Sequence, residues 1–371
     1  MKKLNTLLLL LLSSFIFSCQ ASKTDVLITN FSKKDKKFED VEISWQKVIT
    51  INPEITEKNL IILLDGKQQT YQINYKNDKP NSVLFQASVE AGKSLKYKLK
   101  TGIPQKFEAK VFGRLVPERK DDFAWENNII AYRMYGPALA ATGEISNGID
   151  PWSKRTSNLI INKWYRINDY HKDSGEGLDA YKVGRTLGAG ALAPLFNDSL
   201  VLGSNFVKSE VLENGPLRVK FRLTYDSLIV GGIKVKETRT ISLSANSYFN
   251  KCKHTFEGDY TSLPAAVGIV QRPKKGEIGV YKNIGFVTYE EPLHHKNGQM
   301  RLGVILGDKL DSHRVKENHL QALTTIKNKT PYVYYFGNSW NKSGVETFAS
   351  WVEIASDFAC QLQEPLSVTI K

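Results

Sequence analysis

The feature that most limits how this chain can fold is a two-residue alternation of apolar and polar side chains. It runs from Asp25 to about Lys110 in Val41-Ile43-Trp45, Leu60-Ile62-Leu64, Tyr71-Ile73-Tyr75, Val83-Phe85-Ala87 and Leu95-Tyr97-Leu99. Successive side chains of a strand point to opposite faces, so this pattern gives each strand one apolar face and one polar face. Asp65-Gly66, Asn77-Asp78-Lys79-Pro80 and Ala91-Gly92 separate the runs with hairpin chemistry. The alternation returns at Val201 and continues through Val219-Phe221-Leu223-Tyr225, Ile241-Leu243, Leu302-Val304-Leu306 and Tyr332-Tyr334-Phe336 to Leu366-Val368-Ile370. No helical periodicity competes in the first run, and Thr347–Ala355 is one helix candidate. The expected fold is all-β: a large antiparallel β-sandwich over 25–371 with few short helices, and a possible subdivision near residue 110.

The N-terminus reads as a processing signal over residues 1–18. Lys2 and Lys3 supply positive charge, Leu7 to Leu12 an apolar run, and Ser18 a small residue before Cys19. The run is too short for a membrane span, and no later stretch of ~18 apolar residues exists. Cys19 is expected to be lipidated, with 19–24 as a tether; the competing reading is a secreted protein that loses Cys19 with its signal. Cys252 and Cys360 are the other cysteines, and a disulfide and two free thiols both stay open.

The formal charge is +13, and removing Lys2 and Lys3 with the signal leaves +11. A basic surface attracts anions. Outside the cytoplasm this points to an anionic polysaccharide or anionic lipid, not to nucleic acid. No spacing resembles a zinc site, Gly184–Gly190 lacks the strand-to-helix setting of a phosphate loop, and Ser343 has no nucleophile-elbow context. No cofactor and no metal are expected.

Between Val111 and Asn197 the alternation weakens, and aromatic, charged and glycine residues crowd together, most densely from Tyr132 to Arg185. Long loops in a compact protein usually carry function. His171 stands beside Tyr170, Asp173 and Tyr181, which could orient it and set its pKa. His171, Asp173, Glu176 and Asp179 fall short of a recognisable metal pattern. His254 and His294-His295 have weaker contexts. Trp340 and Lys342 lie in a polar loop near the C-terminus as a possible sugar platform and anion contact.

Four stretches resemble a family of exported bacterial proteins long filed as a domain of unknown function and found in polysaccharide-utilisation systems. They are Val116–Asn127 with Tyr132–Pro137, Asp150–Lys154, Tyr170–Asp179 and Gly337–Gly344. The resemblance covers nearly all of the chain beyond the signal. It extends to oligosaccharide dehydratases of ulvan-degrading systems, which remove water from a terminal glucuronic or iduronic acid to give a 4,5-unsaturated uronic acid.

The implied chemistry needs a cation on the substrate carboxylate, a base for the C5 proton and an acid for the C4 hydroxyl. Arg133 and Arg185 are the candidates for the carboxylate, His171 for base or acid, and Tyr135 or Tyr181 for its counterpart. Lys163, Lys172 and Lys342 are candidate contacts to sulfates, and Trp164 and Trp340 candidate stacking platforms. The expected partners are a sulfated, uronic-acid-containing oligosaccharide and, through the lipid on Cys19, the periplasm-facing outer membrane. A polysaccharide lyase, an epimerising enzyme and a non-catalytic glycan-binding lipoprotein are the competing classes.

Overall fold

The computed structural model describes residues 25–370 apart from Lys275 and Asp308. The expected signal, tether and lipidated Cys19 lie outside the described residues. The described chain is all-β in character, and its strand ladders are antiparallel.

Two sheets form around one apolar core at the N-terminal side. One has the order Ser367–Ile370, Asp25–Thr29, Ser94–Thr101, Leu60–Leu64, Lys67–Gln68; the other has Lys36–Ser44, Lys79–Val89, Tyr71–Lys76. Their buried side chains are the alternate residues of the first run: Val41 and Ile43, Leu60 and Ile62, Val83 and Phe85, Tyr97 and Leu99. Trp45 departs from the strand reading. It opens a short helix, Trp45–Ile51, because Ser44 caps the helix by accepting from the Lys47 amide at 3.4 Å.

From Val111 onward three sheets enclose a second core. The first runs Gly177–Leu178, Asp150–Lys154, Ala131–Met134, Asp122–Asn127, Val111–Val116. The second is five-stranded around Ala189–Phe196, Ser262–Val270 and His319–Lys327. The third is nine-stranded and includes Arg218–Tyr225, Ile233–Ser244, Phe249–Glu257 and Tyr332–Trp340. Trp125 and Tyr132 of the first stack at 5.4 Å and meet Phe221 and Phe336 of the third. The Trp125 indole N–H donates to Asn250 at 2.7 Å, so this buried ring keeps its polar atom satisfied.

Polar side chains join the two cores. Gln72 accepts from the Leu217 and Arg218 amides at 2.9 and 2.8 Å, and Gln86 donates to the Ala245 carbonyl at 2.9 Å. The helix at the C-terminal end, Phe348–Gln363, continues past the expected Ala355. Thr347 caps it, and Trp351, Ala355 and Ala359 bury its inner face, Trp351 stacked on Phe249 at 5.2 Å. Cys360 on this helix and Cys252 in the large core are both free thiols. No helix among the described residues is long and apolar enough to cross a membrane.

A buried ion pair anchors the segment between Asp150–Lys154 and Gly177–Leu178. Lys154 donates to the Glu126 carboxylate at 2.7 Å and to the Asn127 carbonyl at 2.5 Å. The same carboxylate accepts the amides of Ile160 and Ile161 at 2.7–2.9 Å, which fixes the start of the helix Ile161–Ile167. Trp164 of that helix stacks on Trp152 at 5.4 Å, and Tyr165 and Tyr170 pack around the same indole.

Candidate active site

Strand register creates the centre of the site. Arg133 lies directly across the ladder from Asp150, and both side chains are buried. The guanidinium donates to Asp150 Oδ2 from Nη2 at 2.7 Å and from Nε at 3.0 Å, and to Asp179 Oδ2 from Nη2 at 2.7 Å. Asp122, at the start of the adjacent strand, lies 3.8 Å from Nε. Asp179 reaches the group because Gly177–Leu178 pairs with Ser153 and Lys154. Gly177 has φ +126°, and a Cβ there would sit 2.0 Å from the Ser153 carbonyl oxygen, so only glycine fits that approach.

Tyr135 donates to Asp150 Oδ2 at 2.6 Å. His171 Nδ1 lies 2.9 Å from the Asp179 carbonyl and 3.6 Å from Asp179 Oδ2, and its side chain is 59% exposed. A carbonyl can only accept, so Nδ1 carries the hydrogen and Nε2 keeps its lone pair in the neutral ring. Tyr135, Asp150, Arg133, Asp179 and His171 thus form one continuous chain of polar contacts.

Three buried carboxyls share Arg133. Burial first, and then the negative charge of Asp150, push Asp122 and Asp179 up to about 7, against the pull of Arg133. Burial and then Asp150 raise the Tyr135 phenol well above its ordinary range, so it holds its proton at neutral pH. The folded state therefore binds more protons on Asp122 and Asp179 than the unfolded chain does between about pH 4 and pH 7. Stability is expected to fall as pH rises through that window and to level off above it, and Asp122→Asn should flatten the slope. Urea unfolding at several pH values checks this, and an unchanged slope in the variant would remove Asp122 as a source.

Beside the cluster lies a cavity of about 290 Å³ lined by Arg119, Asp122, Arg133, Tyr135, Glu144 and Arg185. Arg119 donates from Nε to the Tyr170 hydroxyl at 2.9 Å. Arg185 donates to the Gly203 and Leu202 carbonyls at 2.7 and 3.0 Å. Neither forms an ion pair with a carboxylate among the described residues, although Asp122 and Glu144 line the same cavity and the Asp122 charge reaches Arg119.

Of the expected residues, Arg133, Tyr135 and Arg185 line this cavity, and His171 joins through Asp179. The role expected for Arg133 changes: two carboxylates already bond its guanidinium and a third lies close by, leaving it poorly placed to neutralise another. Tyr181 does not line this cavity; it is buried with the Arg272 guanidinium over its ring at 4.3 Å, within reach of the Asp150 charge. Trp164 and Trp340 are corrected as stacking platforms. Both are buried, Trp164 on Trp152, and Trp340 with Arg155 and Lys342 over its ring at 5.5 and 5.4 Å. Lys163 pairs with Glu176 at 2.8 Å, Lys342 donates to the Lys296 carbonyl at 2.8 Å, and Lys172 is exposed beside Asp169. Asp173 turns to Arg155 and Glu176 to Lys163, so neither converges on His171. Among the described residues no group of three or more His, Cys, Asp or Glu side chains is arranged to hold a metal ion.

Arg119 and Asp122 are the residues that reading by local density missed. Their signal was the charged run Glu118–Asp122 directly before a strand of buried aromatic residues.

The family described as a domain of unknown function, DUF4861, matches residues 28–368. A relative called "Uncharacterized protein P7", from Formosa agariphila, is 32% identical over 280 residues, 70% of this chain and 70% of its own length. Among solved structures, a protein in glycosyl hydrolase family 38 from Enterococcus faecalis aligns with a TM-score of 0.52 at 11% identity. The alignment takes in 94% of this chain and 47% of that one, so this chain spans about half the length of that structure, and the likeness is one of fold.

Proposed function

The chain belongs to the DUF4861 family, and from that starting point we propose that it is an oligosaccharide dehydratase acting on a terminal uronic acid of a sulfated, ulvan-type oligosaccharide. In this reading the sheets around the second core form a supersandwich that carries the enzyme. Cys19 bears a lipid that holds it on the periplasmic side of the outer membrane.

The observation that carries the proposal is the polar chain from Tyr135 through Asp150, Arg133 and Asp179 to His171. It supplies a neutral phenol and an imidazole whose Nε2 makes no hydrogen bond among the described residues, coupled through one buried guanidinium and next to a cavity lined by Arg119 and Arg185. Arg119 and Arg185 hold the substrate carboxylate and stabilise the charge that develops on it as C5 loses its proton. His171 Nε2 takes the C5 proton. The C5–H electron pair becomes the C4–C5 double bond, the C4–O bond breaks, and its oxygen takes the Tyr135 proton and leaves as water. Hydroxide is far more basic than tyrosinate, with water's pKa at about 15.7, so a phenol with a raised pKa still donates downhill. The imidazolium that forms is 3.6 Å from Asp179 Oδ2, and the tyrosinate ring lies 5.2 Å from the Arg133 guanidinium carbon. The imidazolium therefore meets an opposite charge, while the tyrosinate oxygen stands beside Asp150 and depends on the Arg133 guanidinium that the two share.

Mass spectrometry of sulfated uronic-acid oligosaccharides after incubation tests the reading. Loss of one water with new ultraviolet absorbance is the expected result, and an unchanged mass would discard it. A lyase using the same elimination would cut internal bonds and lower the viscosity of intact polymer; a terminal dehydratase leaves it constant. Arg119→Ala should lower kcat/KM by about 10²-fold, the typical loss when one donor to a developing oxyanion is removed. An unchanged kcat/KM would take Arg119 out of the site.

A further inference from the structure

The outer face of the nine-stranded sheet carries an ordered set of cations that the proposed chemistry does not use. On Arg218–Tyr225 the residues Val219, Phe221 and Leu223 are buried, which turns Arg218, Lys220 and Arg222 outward. The same alternation turns Thr240, Ser242 and Ser244 outward on Ile233–Ser244, and Lys251 and Lys253 on Phe249–Glu257. Register aligns them into rows across the strands. Lys220 stands opposite Ser242, Ser242 opposite Lys251 and Lys251 opposite Tyr335, while Arg222, Thr240 and Lys253 form the next row. Each row alternates cation, hydroxyl, cation.

The outer cations on one side are neutralised. Arg218 pairs with Glu42 and Glu213, Lys220 with Glu213 at 3.0 Å and Arg222 with Glu210 at 3.0 Å. Lys251 and Lys253 form no ion pair among the described residues. Partial burial and then the like charges of Lys253, Arg218 and Lys220 hold the Lys251 ammonium below its ordinary range, opposed by Asp40. Asp40 is itself engaged by Ser244 at 2.5 Å and Gln86 at 3.0 Å. Lysines crowded in this way repel one another, and an anion between them removes the repulsion.

The rows lie along a cleft of about 400 Å³ where the outer face meets Phe38 of the N-terminal unit and Phe358 and Leu362 of the long helix; Glu39, Asp40 and Glu42 also line it, Glu39 beside Lys36, Asp40 bonded to Ser244 and Gln86, and Glu42 paired with Arg218. A second hollow of about 170 Å³ continues it past Lys220, Thr240 and Lys253, sharing Glu42, Arg218, Ser242 and Lys251 with the first. Tyr335, under the Lys251 ammonium at 5.9 Å, adds an aromatic side chain to the larger hollow.

We propose that this cleft is a second glycan-binding site, which takes a sulfate- or carboxylate-bearing sugar unit with its anionic group between Lys251 and Lys253 and its hydroxyls on Ser242 and Thr240. Phe221, Ile241 and Cys252 separate it from the Arg133 cluster, because they point to the opposite face of the same strands. It would hold an anionic chain while the cavity acts on an end, and it does not rest on the elimination chemistry. A lipid surface fits less well, since the cations alternate with hydroxyls in a walled cleft.

The test is calorimetric binding of a heparin-derived tetrasaccharide to the mature chain carrying Arg119→Ala and Arg185→Ala, which disables the first cavity. Binding should persist in that background and weaken at least tenfold on adding Lys251→Gln and Lys253→Gln, since each charge-assisted hydrogen bond is commonly worth about a factor of ten or more. Both lysines point outward, so an unchanged thermal midpoint should accompany the loss. Three results would each overturn the proposal: no binding in the Arg119→Ala, Arg185→Ala background, equal binding after the lysine changes, or phosphatidylglycerol vesicles competing with the tetrasaccharide for the same lysines.

Discussion

His171→Ala should lower kcat by at least ~10²-fold and leave the fold intact, because a general base contributes about 10²–10⁴ in rate. The side chain is largely exposed, and its one hydrogen bond is to a backbone carbonyl that water can replace. Tyr135→Phe should show a loss of similar size by removing the proton for the departing oxygen. The pair of variants separates two explanations. If His171 only positions Asp179, then Asn at 171, which can also donate to the carbonyl, restores the rate; if His171 is the base, Asn stays as inactive as Ala. A kcat within threefold of the parent for His171→Ala, measured by appearance of the unsaturated product, would sink the assignment.

The second large effect is on stability. Arg133→Met should destabilise the protein by about 3–5 kcal/mol, the usual consequence of removing one partner from a buried ion pair. The size follows from what is left behind: Asp150 and Asp179 stay buried, and Asp122 beside them, with the shared cation gone. Opposite charges at 4 Å attract by about 4 kcal/mol at an effective dielectric constant of 20, so losing more than one such contact dominates any gain from a better-packed methionine. The carboxyls can escape by taking up protons, so the loss should be larger at pH 8 than at pH 5. Urea titrations at both pH values decide it; a loss below about 1 kcal/mol at pH 8 would mean that the acids are already neutral in the parent protein.

Alternation made the strands legible because burial on one face leaves a mark at every second residue. Leu60 and Ile62, and Tyr97 and Leu99, face inward as that mark implies. It failed at Trp45, where one serine cap outweighs the pattern, and at Gln72 and Gln86, whose polar side chains face the second unit instead of water. Arg133, Tyr135 and His171 could be picked out because adjacent strands and their loops keep them close in sequence; Asp150 and Asp179 lay in the same window, but their contact with Arg133 needed the strand register. Depth could not be seen. Trp164 and Trp340 have the chemistry of a sugar platform, but neighbouring side chains occupy their rings. The cation rows were hidden for a different reason. Each strand shows only its own share, and the rows exist once the register between strands is known.

The pairing of Asp25–Thr29 with Ser367–Ile370 bears on the order of assembly. A chain made from its N-terminus can pair Asp25–Thr29 with Ser94–Thr101 early, but its other edge has no partner until Ser367–Ile370 arrives. Leu366, which enters the same core, arrives equally late. Until then an unpaired strand edge is exposed, the kind of surface that recruits other chains. The smaller core is therefore begun before the large one and sealed after it, and the large core can mature while the smaller waits for Ser367–Ile370.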